Sequence, residues 1–583
     1  SCPPGRRFGE RCIQEPSIEC SDDSECPEQE RCSAHGWCHN TACQSHFDCA
    51  DTQRCHDGRC LSRVDNPAGV QFERTYIPGL DEHFSTAPHI DQTTGGTGFG
   101  MALLDIDGDQ DLDVYLGSEG TTPACLYENT SRPTQLRFRA IEEYCDPPSN
   151  RWHGGVSIDL EGDGFHELVR FGPAMLELQT FRPTPRTQNL FDEFAAEDPR
   201  RRCNPGSALP HDFNYDGRAD LLVGCHFDMF HGPVDYFNHL LFLQEEDGQL
   251  RYASPESWVR GESIIHTLQG STLAIGAADL NDDGLTDLMI SEDRIADIMI
   301  IDPDPGGVYF ACAPGDPCRF QVERFASSNG SNGAYMGTAV LRLGDHAAHH
   351  VYVTDMRDNL LIRLTDSGFR NLARGTNSGL GFLGGVPIFS WGIVVDDFDF
   401  DHQDDLYVGN GGVFDQTPAE IATHLDILLL QKQEGEFGWY SNDVGIDPLT
   451  IQDSGHEERT FATRAVVKAD FDHDGMMDLL ATGMEGFVRT HREVPLQGRQ
   501  NTRCTLIPMP RYVPGHGHGH QLIFDHDPRP RLWDSQGQVR SGISPFILSP
   551  HPQGTLVFPS GARARFDCTQ TKRPVLMLEP EWI

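Results

Sequence analysis

The amino-acid sequence predicts an all-β fold built from seven copies of one unit. Two observations lead to this prediction. An acidic nine-residue motif recurs along the chain, and three or four apolar residues follow each copy. Between the copies, short apolar stretches alternate with polar Gly turns, and no helical period of useful length is present. Repeated units made only of strands are typical of a β-propeller, here with seven blades.

The motif reads D-x-[DNE]-x-D-G-x-x-[DE]. Its six copies are "DIDGDQDLD" at 105, "DLEGDGFHE" at 159, "DFNYDGRAD" at 212, "DLNDDGLTD" at 279, "DFDFDHQDD" at 397 and "DFDHDGMMD" at 470. The widest gap contains residues 336–355, which align with 391–410 but carry Arg342, Gly344 and His346 in place of the three leading acids. This degenerate copy brings the predicted number of units to seven.

The spacing of the acids predicts calcium sites. Hard cations such as Ca²⁺ take six to eight oxygen ligands at about 2.3–2.6 Å. Acids at motif positions 1, 3, 5 and 9, with the backbone carbonyl of position 7, supply such a set, and Gly at position 6 permits a left-handed turn. His402 replaces this Gly in the copy at 397. The predicted calcium-binding residues are Asp105, Asp107, Asp109, Asp111, Asp113, Asp159, Glu161, Asp163, Phe165, Glu167, Asp212, Asn214, Asp216, Arg218, Asp220, Asp279, Asn281, Asp283, Leu285, Asp287, Asp397, Asp399, Asp401, Gln403, Asp405, Asp470, Asp472, Asp474, Met476 and Asp478.

Three other interpretations of the acids explain less. An EF-hand or dockerin-type loop needs a bidentate acid at position 12, where this chain has Leu116, Arg170, Val223, Ile290, Val408 and Ala481. A catalytic pair needs two carboxylates with separated pKa values at one site, not six near-copies of a cluster. A solvated acidic face does not explain the fixed spacing or the Gly. No catalytic residue is predicted.

Cysteine usage predicts an oxidising, extracellular environment. Ten of the 18 Cys lie in the first 60 residues: Cys2 and Cys12, followed by two sets of four that each begin C-x5-C-x5-C. Zinc sites prefer C-x2–4-C pairs, so two disulfide-stapled modules within residues 1–63 are favoured. The remaining Cys pair by proximity, as Cys125–Cys145, Cys203–Cys225, Cys312–Cys318 and Cys504–Cys568.

The net charge of −43 argues against nucleic acid and against an anionic membrane surface as partners. No apolar run reaches the roughly 18 residues of a membrane span. The chain opens with "SCPPG" and is interpreted as already processed. A secreted or cell-surface location is therefore expected.

The D-x-D-x-D-G-x-x-D loops resemble the FG-GAP/VCBS repeats of integrin α-subunit propellers and of many secreted bacterial proteins. The units at 336–355 and 391–410 are similar to the ASPIC/UnbV class, which includes cartilage acidic protein, and the closing stretch 554–580 is similar to the end of its C-terminal β domain. The resemblance implies a calcium-binding propeller over 70–490, a β domain over 500–583, and five or six bound calcium ions.

Two further features are noted. The segment "GHGHGH" places His516, His518 and His520 on one face of a strand, where they would bind Zn²⁺ or Cu²⁺, or else belong to a Gly/His loop. Asn129 and Asn329 fit the N-glycosylation pattern.

The function expected from these features is cell adhesion or another extracellular interaction, with a protein or glycan ligand and calcium-stiffened blades. A polysaccharide-active enzyme with a site in the propeller funnel is the first alternative. A structural subunit of an extracellular assembly, with self-association, is the second.

Overall fold

The computed structural model describes the backbone of short segments at 7–8, 11–12, 30–32, 38–40, 53–56 and 59–62. Beyond these, the described residues are 70–75, 77, 80, 99–118, 123–147, 151–182, 184–214, 216–226, 239–254, 259–260, 272–281, 285–292, 306–311, 320–324, 335–344, 349–356, 358–365, 368–380, 382–383, 386–412, 425–432, 435–441, 444–446, 462–483, 488–494, 503–509, 521–525, 527–532, 541, 544–558 and 561–580. The three N-terminal hairpins pair Arg7–Phe8 with Arg11–Cys12, Glu30–Cys32 with Cys38–Asn40, and Gln53–His56 with Arg59–Ser62.

Seven antiparallel sheets follow within the described part of the chain, and the fold is all-β and propeller-like. Sheet 1 is formed by Met101–Leu104, Asp113–Leu116, Cys125–Asn129 and Phe138–Ala140. Sheet 2 is formed by Gly154–Ile158, Glu167–Gly172, Met175–Thr180 and Arg186–Asn189. Sheet 3 is formed by Asn204–His211, Asp220–His226, Leu240–Gln244 and Leu250–Ala253. Sheet 4 is formed by Thr272–Ala278, Asp287–Glu292, Gly306–Ala311 and Phe320–Arg324, with Val259–Arg260 added in parallel at its edge. The 3-10 turns Glu142–Tyr144, Leu190–Glu193 and Pro199–Arg202 lie in the connections.

Sheet 5 is formed by Tyr335–Arg342, His349–Asp355, Leu360–Thr365 and Gly368–Asn371, and sheet 6 by Ser390–Asp396, Asp405–Asn410, Ile427–Gln431 and Phe437–Tyr440. A small hairpin, Phe382–Leu383 with Val386–Pro387, lies between them. Sheet 7 is formed by Thr463–Ala469, Asp478–Gly483, Val488–Glu493 and Phe72–Thr75. Each degenerate or acidic motif joins the first two strands of one sheet.

Sheet 7 takes its fourth strand from the start of the chain. Phe72–Thr75 runs antiparallel to Val488–Glu493, with Thr75 opposite Thr490 and Phe72 opposite Glu493. The hydroxyl of Thr482 also donates to the Phe99 carbonyl over 2.9 Å. Sheet 1 therefore contacts sheet 7, and the two ends of the repeat array lie together.

The first strands of the sheets are mostly buried, as in Thr463–Ala469, where all seven residues are buried. The first strands of consecutive sheets contact one another from sheet 1 to sheet 7. One core cluster contains Met101 and Leu103 of sheet 1 together with Ala465 and Val467 of sheet 7. A strand buried on both faces reads as a continuous apolar run, which explains the "AVV" and "AIGAA" stretches of the sequence.

Two smaller sheets follow the repeats. The first has the strand order Ile547–Ser549, Cys504–Met509, Val575–Leu578, and its last pair is parallel. The second has the order Asp527–Leu532, Gln521–Phe524, Gln553–Val557, Arg563–Asp567. They share one buried apolar cluster that includes Leu506, Leu522 and Leu556.

Three predicted disulfides are present: Cys125–Cys145, Cys203–Cys225 and Cys504–Cys568. The first joins the third strand of sheet 1 to the residue after the 3-10 turn Glu142–Tyr144. The second joins the residue before the first strand of sheet 3 to its second strand, and the third joins the two small C-terminal sheets. The predicted pair Cys312–Cys318 and the side chains of the Cys-rich start lie outside the described residues. Within the described residues, no helix has both the length and the apolar character needed to cross a membrane.

Candidate metal centres

The acidic motifs all form the same kind of tight loop. Position 6 adopts a left-handed backbone in every copy for which it is described, with φ of 74° at Gln110, 85° at Gly164, 88° at Gly217, 74° at His402 and 82° at Gly475. Non-glycine residues rarely adopt this conformation, which costs them roughly 1–2 kcal/mol. Two copies therefore depart from Gly at position 6, with Gln110 in the loop at 105 and His402 in the loop at 397.

In the loops at 105, 159, 212, 397 and 470, the first acid accepts hydrogen bonds from backbone amides of the turn that surrounds it. Asp470 Oδ1 accepts from the Asp474 amide and Oδ2 from the Gly475 amide, both over 3.0 Å. Asp212 makes the same pair of bonds to Asp216 at 3.1 Å and Gly217 at 2.8 Å. The left-handed residue at position 6 turns its amide inward, so the loop closes around the carboxylate of position 1.

The last acid of each loop opens the second strand. Asp405 Oδ2 accepts from the Phe398 amide over 2.9 Å, and its Oδ1 accepts from the Gln431 amide of the third strand over 2.7 Å. Asp220 is held in the same way by Phe213 and Gln244. The carboxylate at position 9 is thus positioned from both sides before any cation is considered.

Three loops bring the acids of positions 1, 3 and 9 together. In each group, one oxygen from each acid lies within 4.8 Å of the others, and the groups are Asp105, Asp107 and Asp113; Asp397, Asp399 and Asp405; and Asp470, Asp472 and Asp478. A spacing up to this limit suits atoms that share one ion at about 2.3–2.6 Å. Asp397 Oδ1 and Asp478 Oδ1 are buried and have no hydrogen-bond partner among the described residues. Buried carboxylate oxygens of this kind are expected to have a partner, and a hard cation fits this all-oxygen set.

Positions 5 and 7 do not belong to these three-acid groups. The carboxylate of position 5 instead accepts the amide of position 7, as Asp401 does from Gln403 over 2.9 Å and Asp474 from Met476 over 2.8 Å. The Asp111 carboxylate at position 7 faces His473 of sheet 7. In these three described loops, the side chains that converge are therefore those of positions 1, 3 and 9, and not those of positions 5 and 7.

The remaining predicted side chains at position 7 point to other partners. Arg218 donates to the Gln244 carbonyl over 2.8 Å, and the Arg182 guanidinium lies 4.5 Å over the Phe165 ring. Met476 and Leu285 are buried. The predicted role of position 7 rests on its backbone carbonyl and stays a prediction.

The other three loops differ in what they place together. Position 3 is an amide in the loop at 212, where Asn214 donates to Asp216 over 2.8 Å. In the loop at 159, Asp159 and Glu167 accept backbone amides as their counterparts do, while Glu161 is exposed. In the loop at 279, Asp287 accepts the Leu280 amide over 3.0 Å, and Asp283 lies outside the described residues.

Burial makes these carboxylates unfavourable as bare charges. Loss of solvent, with repulsion from neighbouring acids, raises the pKa of Asp113, Glu167 and Asp220 to about 8. Burial raises the pKa of Asp405 and Asp478 well above its ordinary value. Three acids held this close need either protons or a cation to balance their charge.

Arginine side chains form ion pairs with acids in two of the loops. Arg492 contacts both Asp472 and Asp474 in the loop at 470, with a distance of 2.7 Å from its Nη2 to Asp472 Oδ2. Arg218 contacts Asp216 in the loop at 212. Part of the negative charge of these two loops is therefore balanced by the chain itself.

Three amide side chains that sequence reasoning missed connect neighbouring sheets. Asn129, Gln244 and Gln431 each end a third strand, and each backbone amide donates to the acid at position 9. Their side-chain nitrogens donate to carbonyls of the preceding sheet, those of Phe471 at 2.9 Å, Leu160 at 3.0 Å and Arg342 at 3.0 Å respectively. The signal in the sequence is the amide that ends "LYEN", "LLFLQ" and "ILLLQ".

The hydrogen bond from the Asn129 side chain to the Phe471 carbonyl also decides whether the N-glycosylation pattern at Asn129 can be used. Asn129 is 3% exposed and its side-chain nitrogen is bonded to Phe471, so in the folded protein it is not accessible for glycosylation. Asn329 lies outside the described residues, as do His516, His518 and His520.

A buried charged cluster joins the loops at 397 and 470 to the C-terminal sheets. Arg503, beside Cys504, donates to Asp396 Oδ1 over 2.5 Å and to Glu493 Oε2 over 3.0 Å. Lys468 contacts the other oxygen of Asp396. Although burial alone would raise it, Arg503 and Lys468 hold the pKa of Asp396 below its ordinary value.

Comparison with known proteins adds little to this picture. No protein-family model matches the chain, and no curated protein matches it. Among solved structures, an Agrocybe aegerita lectin that recognises non-reducing terminal N-acetylglucosamine is 13% identical, with 59% of this chain and 82% of that chain covered and a TM-score of 0.38. BBS1N in complex with ARL6DN is 11% identical, with 74% and 98% covered and a TM-score of 0.41. A protein from Lactobacillus plantarum is 9% identical, with 59% and 84% covered and a TM-score of 0.34. With TM-scores below 0.5, none of these likenesses carries an argument about this chain.

Proposed function

We propose that the chain is a secreted or cell-surface β-propeller of seven blades, stabilised by calcium, that acts as an interaction module for an extracellular protein or glycan. The observation that carries the calcium part is the convergence of the acids at positions 1, 3 and 9 in three loops, where the acids at positions 1 and 9 are buried. In this proposal the FG-GAP/VCBS-like loops hold Ca²⁺, and the ASPIC/UnbV-like end forms a second domain.

The blade assignment rests on the sheet order. Each of the seven sheets is a meander joined by the acidic or degenerate loop between its first two strands, and consecutive first strands are in contact. The strand Phe72–Thr75 supplies the outer strand of sheet 7. Such a strand exchange between the two ends of a chain closes a ring of blades and removes its open edge.

The calcium ions would act on the blades rather than on a substrate. The acid at position 9 is bonded to the third strand of its own sheet, and the amides Asn129, Gln244 and Gln431 bond the next sheet to the previous one. A cation bound at positions 1, 3 and 9 would therefore fix both the loop and the contact between neighbouring blades. A rigid scaffold that carries variable connections is a common basis for binding.

An apolar cluster favours binding over catalysis. Leu273, Met336 and Trp391, from the first strands of sheets 4, 5 and 6, pack together and are at most 1% exposed. The Arg464 guanidinium of sheet 7 lies 4.0 Å over the Trp391 ring and is itself buried. A catalytic funnel would need polar groups that converge on a solvent-filled space, and close apolar packing between first strands leaves less room for one.

An extracellular location is supported by the three disulfides and by the cysteine spacing of the first 60 residues. Disulfides form and persist in oxidising compartments. The acidic balance of the chain suits a calcium-rich surrounding, where the loops would stay occupied.

The function is tested by screening calcium-loaded full-length protein against panels of extracellular glycans and of protein ectodomains, with the metal-depleted protein as the comparison. The expected result is at least one ligand whose binding depends on calcium. Turnover of a polysaccharide substrate would support the enzyme instead. A calcium-dependent oligomer in light scattering, with no ligand bound by the monomer, would support the structural subunit.

A further inference from the structure

Three metal-ligating side chains from two parts of the chain meet beside the loop at 397. Asp397 and His402 belong to that loop, and His551 belongs to the C-terminal sheets. His402 Nδ1 lies 3.1 Å from His551 Nε2, and Asp397 Oδ2 lies 3.8 Å from the first nitrogen and 3.5 Å from the second. None of the predicted calcium sets includes either imidazole.

The three distances between ligand atoms, 3.1, 3.5 and 3.8 Å, are close to those between neighbouring ligands of a tetrahedral zinc ion. Zn²⁺ binds imidazole nitrogen and carboxylate oxygen at about 2.0–2.2 Å, which places neighbouring ligand atoms roughly 3.3–3.6 Å apart. The set of two imidazoles and one carboxylate is a common one for zinc, whereas Ca²⁺ prefers oxygen alone. Small adjustments of the three side chains would bring all three atoms to one ion.

His551 is placed rigidly. Pro550 and Pro552 flank it, and the Ser549 hydroxyl donates to its carbonyl over 2.8 Å. The Cys568 amide donates to the Pro552 carbonyl over 2.7 Å, which ties this turn to the disulfide-bonded strand. The imidazole ring of His551 packs against the Phe524 ring, with the two centroids 4.6 Å apart. A ligand held this firmly loses little side-chain entropy when a metal binds.

His402 occupies its position at a cost. It has a φ of 74°, and four of its five counterparts in the sequence are Gly. A β-carbon there is unfavourable, and a calcium loop does not need one. The imidazole nevertheless stands 4.7 Å from the ring of His551, centroid to centroid. Strained residues of this kind are found where their side chain has a task.

Asp397 is suited to serve two cations. Its Oδ2 accepts the His402 amide and faces both imidazoles, while its Oδ1 has no hydrogen-bond partner among the described residues. The same residue also belongs to the three-acid group with Asp399 and Asp405. One carboxylate can therefore bridge the loop cation and a second metal.

We propose that Asp397, His402 and His551 bind a divalent transition metal of the Zn²⁺ type and thereby join the acidic loop at 397 to the C-terminal sheets. His402 is half exposed, so a fourth coordination position is open to solvent. The site uses nitrogen ligands that the proposed calcium sites lack, and its zinc affinity is measured separately from calcium binding.

The experiment measures Zn²⁺ affinity of the full-length protein by competition with a chromophoric chelator, at saturating Ca²⁺. All variants are made in a background in which His516, His518 and His520 are replaced by Ala, because that segment could bind zinc by itself. In that background we expect one tight zinc site. His402→Gly and His551→Gln are each expected to weaken it by about 100-fold or more, since each removes a ligand.

Gln110→Gly is the matched control. It replaces a residue with the same φ of 74° at the same loop position, whose side chain is outside the proposed zinc set. It should leave zinc affinity within about twofold. Co²⁺ bound in place of zinc should show the intense visible bands of a tetrahedral site, and these bands should be lost in His551→Gln.

Zinc affinity that is unchanged by His402→Gly or by His551→Gln would overturn the proposal, as would the absence of a zinc site in the triple-Ala background. A simple imidazole–imidazole hydrogen bond would then explain the geometry. Calcium binding, followed separately by the calcium-dependent melting temperature, tells failure of this site apart from failure of the proposed calcium loops.

Discussion

Arg503 Nη1 donates to Asp396 Oδ1 over 2.5 Å, and the Arg503 backbone amide donates to the Gly475 carbonyl over 2.9 Å. One residue at the start of the C-terminal sheets thus contacts the base of the loop at 397 and the turn of the loop at 470. Arg503 is 1% exposed and also bonds Glu493. The C-terminal sheets are held against two of the three loops in which acids converge.

Replacing Arg503 tests this junction. Arg503→Met would leave Glu493 buried without its ionic partner and would remove one of two cations from Asp396. Removal of one partner from a buried ion pair typically costs about 3–5 kcal/mol. Chemical unfolding followed by fluorescence should show a loss of this size. Arg139→Met, which removes an exposed partner of Glu128, is the control and should cost at most about 1 kcal/mol. Equal effects would contradict the account.

Asp107 tests whether a position-3 acid binds calcium. Asp107 Oδ1 accepts the Asp109 amide over 3.1 Å, a bond that Asn can also accept. Asp107→Asn should therefore leave the metal-free protein nearly unchanged while it weakens one calcium site by about tenfold or more, because ligand charge sets affinity. Calorimetric titration measures this.

Asp247→Asn is the matched control for that titration. Asp247 Oδ1 accepts the Gln249 amide over 3.0 Å in an exposed turn outside the acidic loops. It should change neither calcium stoichiometry nor affinity. If Asp107→Asn bound calcium as the unmodified protein does, position 3 would not be a ligand in the loop at 105.

The left-handed residue at position 6 predicts two opposite stability changes. Gln110→Gly removes an unfavourable β-carbon at φ 74° and should stabilise the protein by up to about 1 kcal/mol, partly offset by the entropy of Gly in the unfolded chain. Gly475→Ala introduces one at φ 82° and should cost about 1–2 kcal/mol. Differences in the free energy of unfolding measure both. Changes of the same sign would mean that the loops relax to another backbone.

The metal-free protein should lose stability as pH rises from about 6.5 to 8. Burial raises the pKa of Asp113, Glu167 and Asp220 to about 8, whereas the unfolded chain ionises near 4. The folded state therefore binds more protons in this interval, and stability falls as those protons are lost.

The lower limit of the interval avoids an opposing effect. Burial lowers the pKa of His166 and His239 to about 4, so their protonation destabilises the fold only below about pH 6.5. Melting temperatures across pH 6.5–8 in metal-stripped buffer, with and without added Ca²⁺, measure the slope. A metal-free slope that is flat or rises with pH would contradict the raised pKa values of these carboxylates.

The sequence predicted what is local and repeated. The acids at positions 1, 3 and 9 converge at 105, 397 and 470, and each loop joins two strands as expected. This succeeds because nine-residue turns are determined by their own side-chain-to-backbone bonds and by the left-handed residue at position 6. The apolar run after each motif marks the second strand for the same reason.

Contacts between distant parts of the chain could not be predicted in this way. The pairing of Phe72–Thr75 with Val488–Glu493 depends on where two ends of the array meet, and no periodicity encodes it. His551 meets His402 across 149 positions, and Arg503 reaches Asp396 across 107. The side-chain amides of Gln244 and Gln431 both stand at the end of a third strand, a position that the sequence shows. Their hydrogen-bond partners belong to a neighbouring sheet, which the sequence does not show.

The central claim is that the acidic loops hold calcium ions and that these ions stabilise the fold. The most direct test is the melting temperature of metal-depleted protein before and after addition of Ca²⁺, with elemental analysis of the reloaded sample. A site occupied at a hundred times its Kd contributes about 2.7 kcal/mol, so several sites should raise the melting temperature clearly. The account predicts this rise together with several bound calcium ions. An unchanged melting temperature with no calcium retained would contradict it.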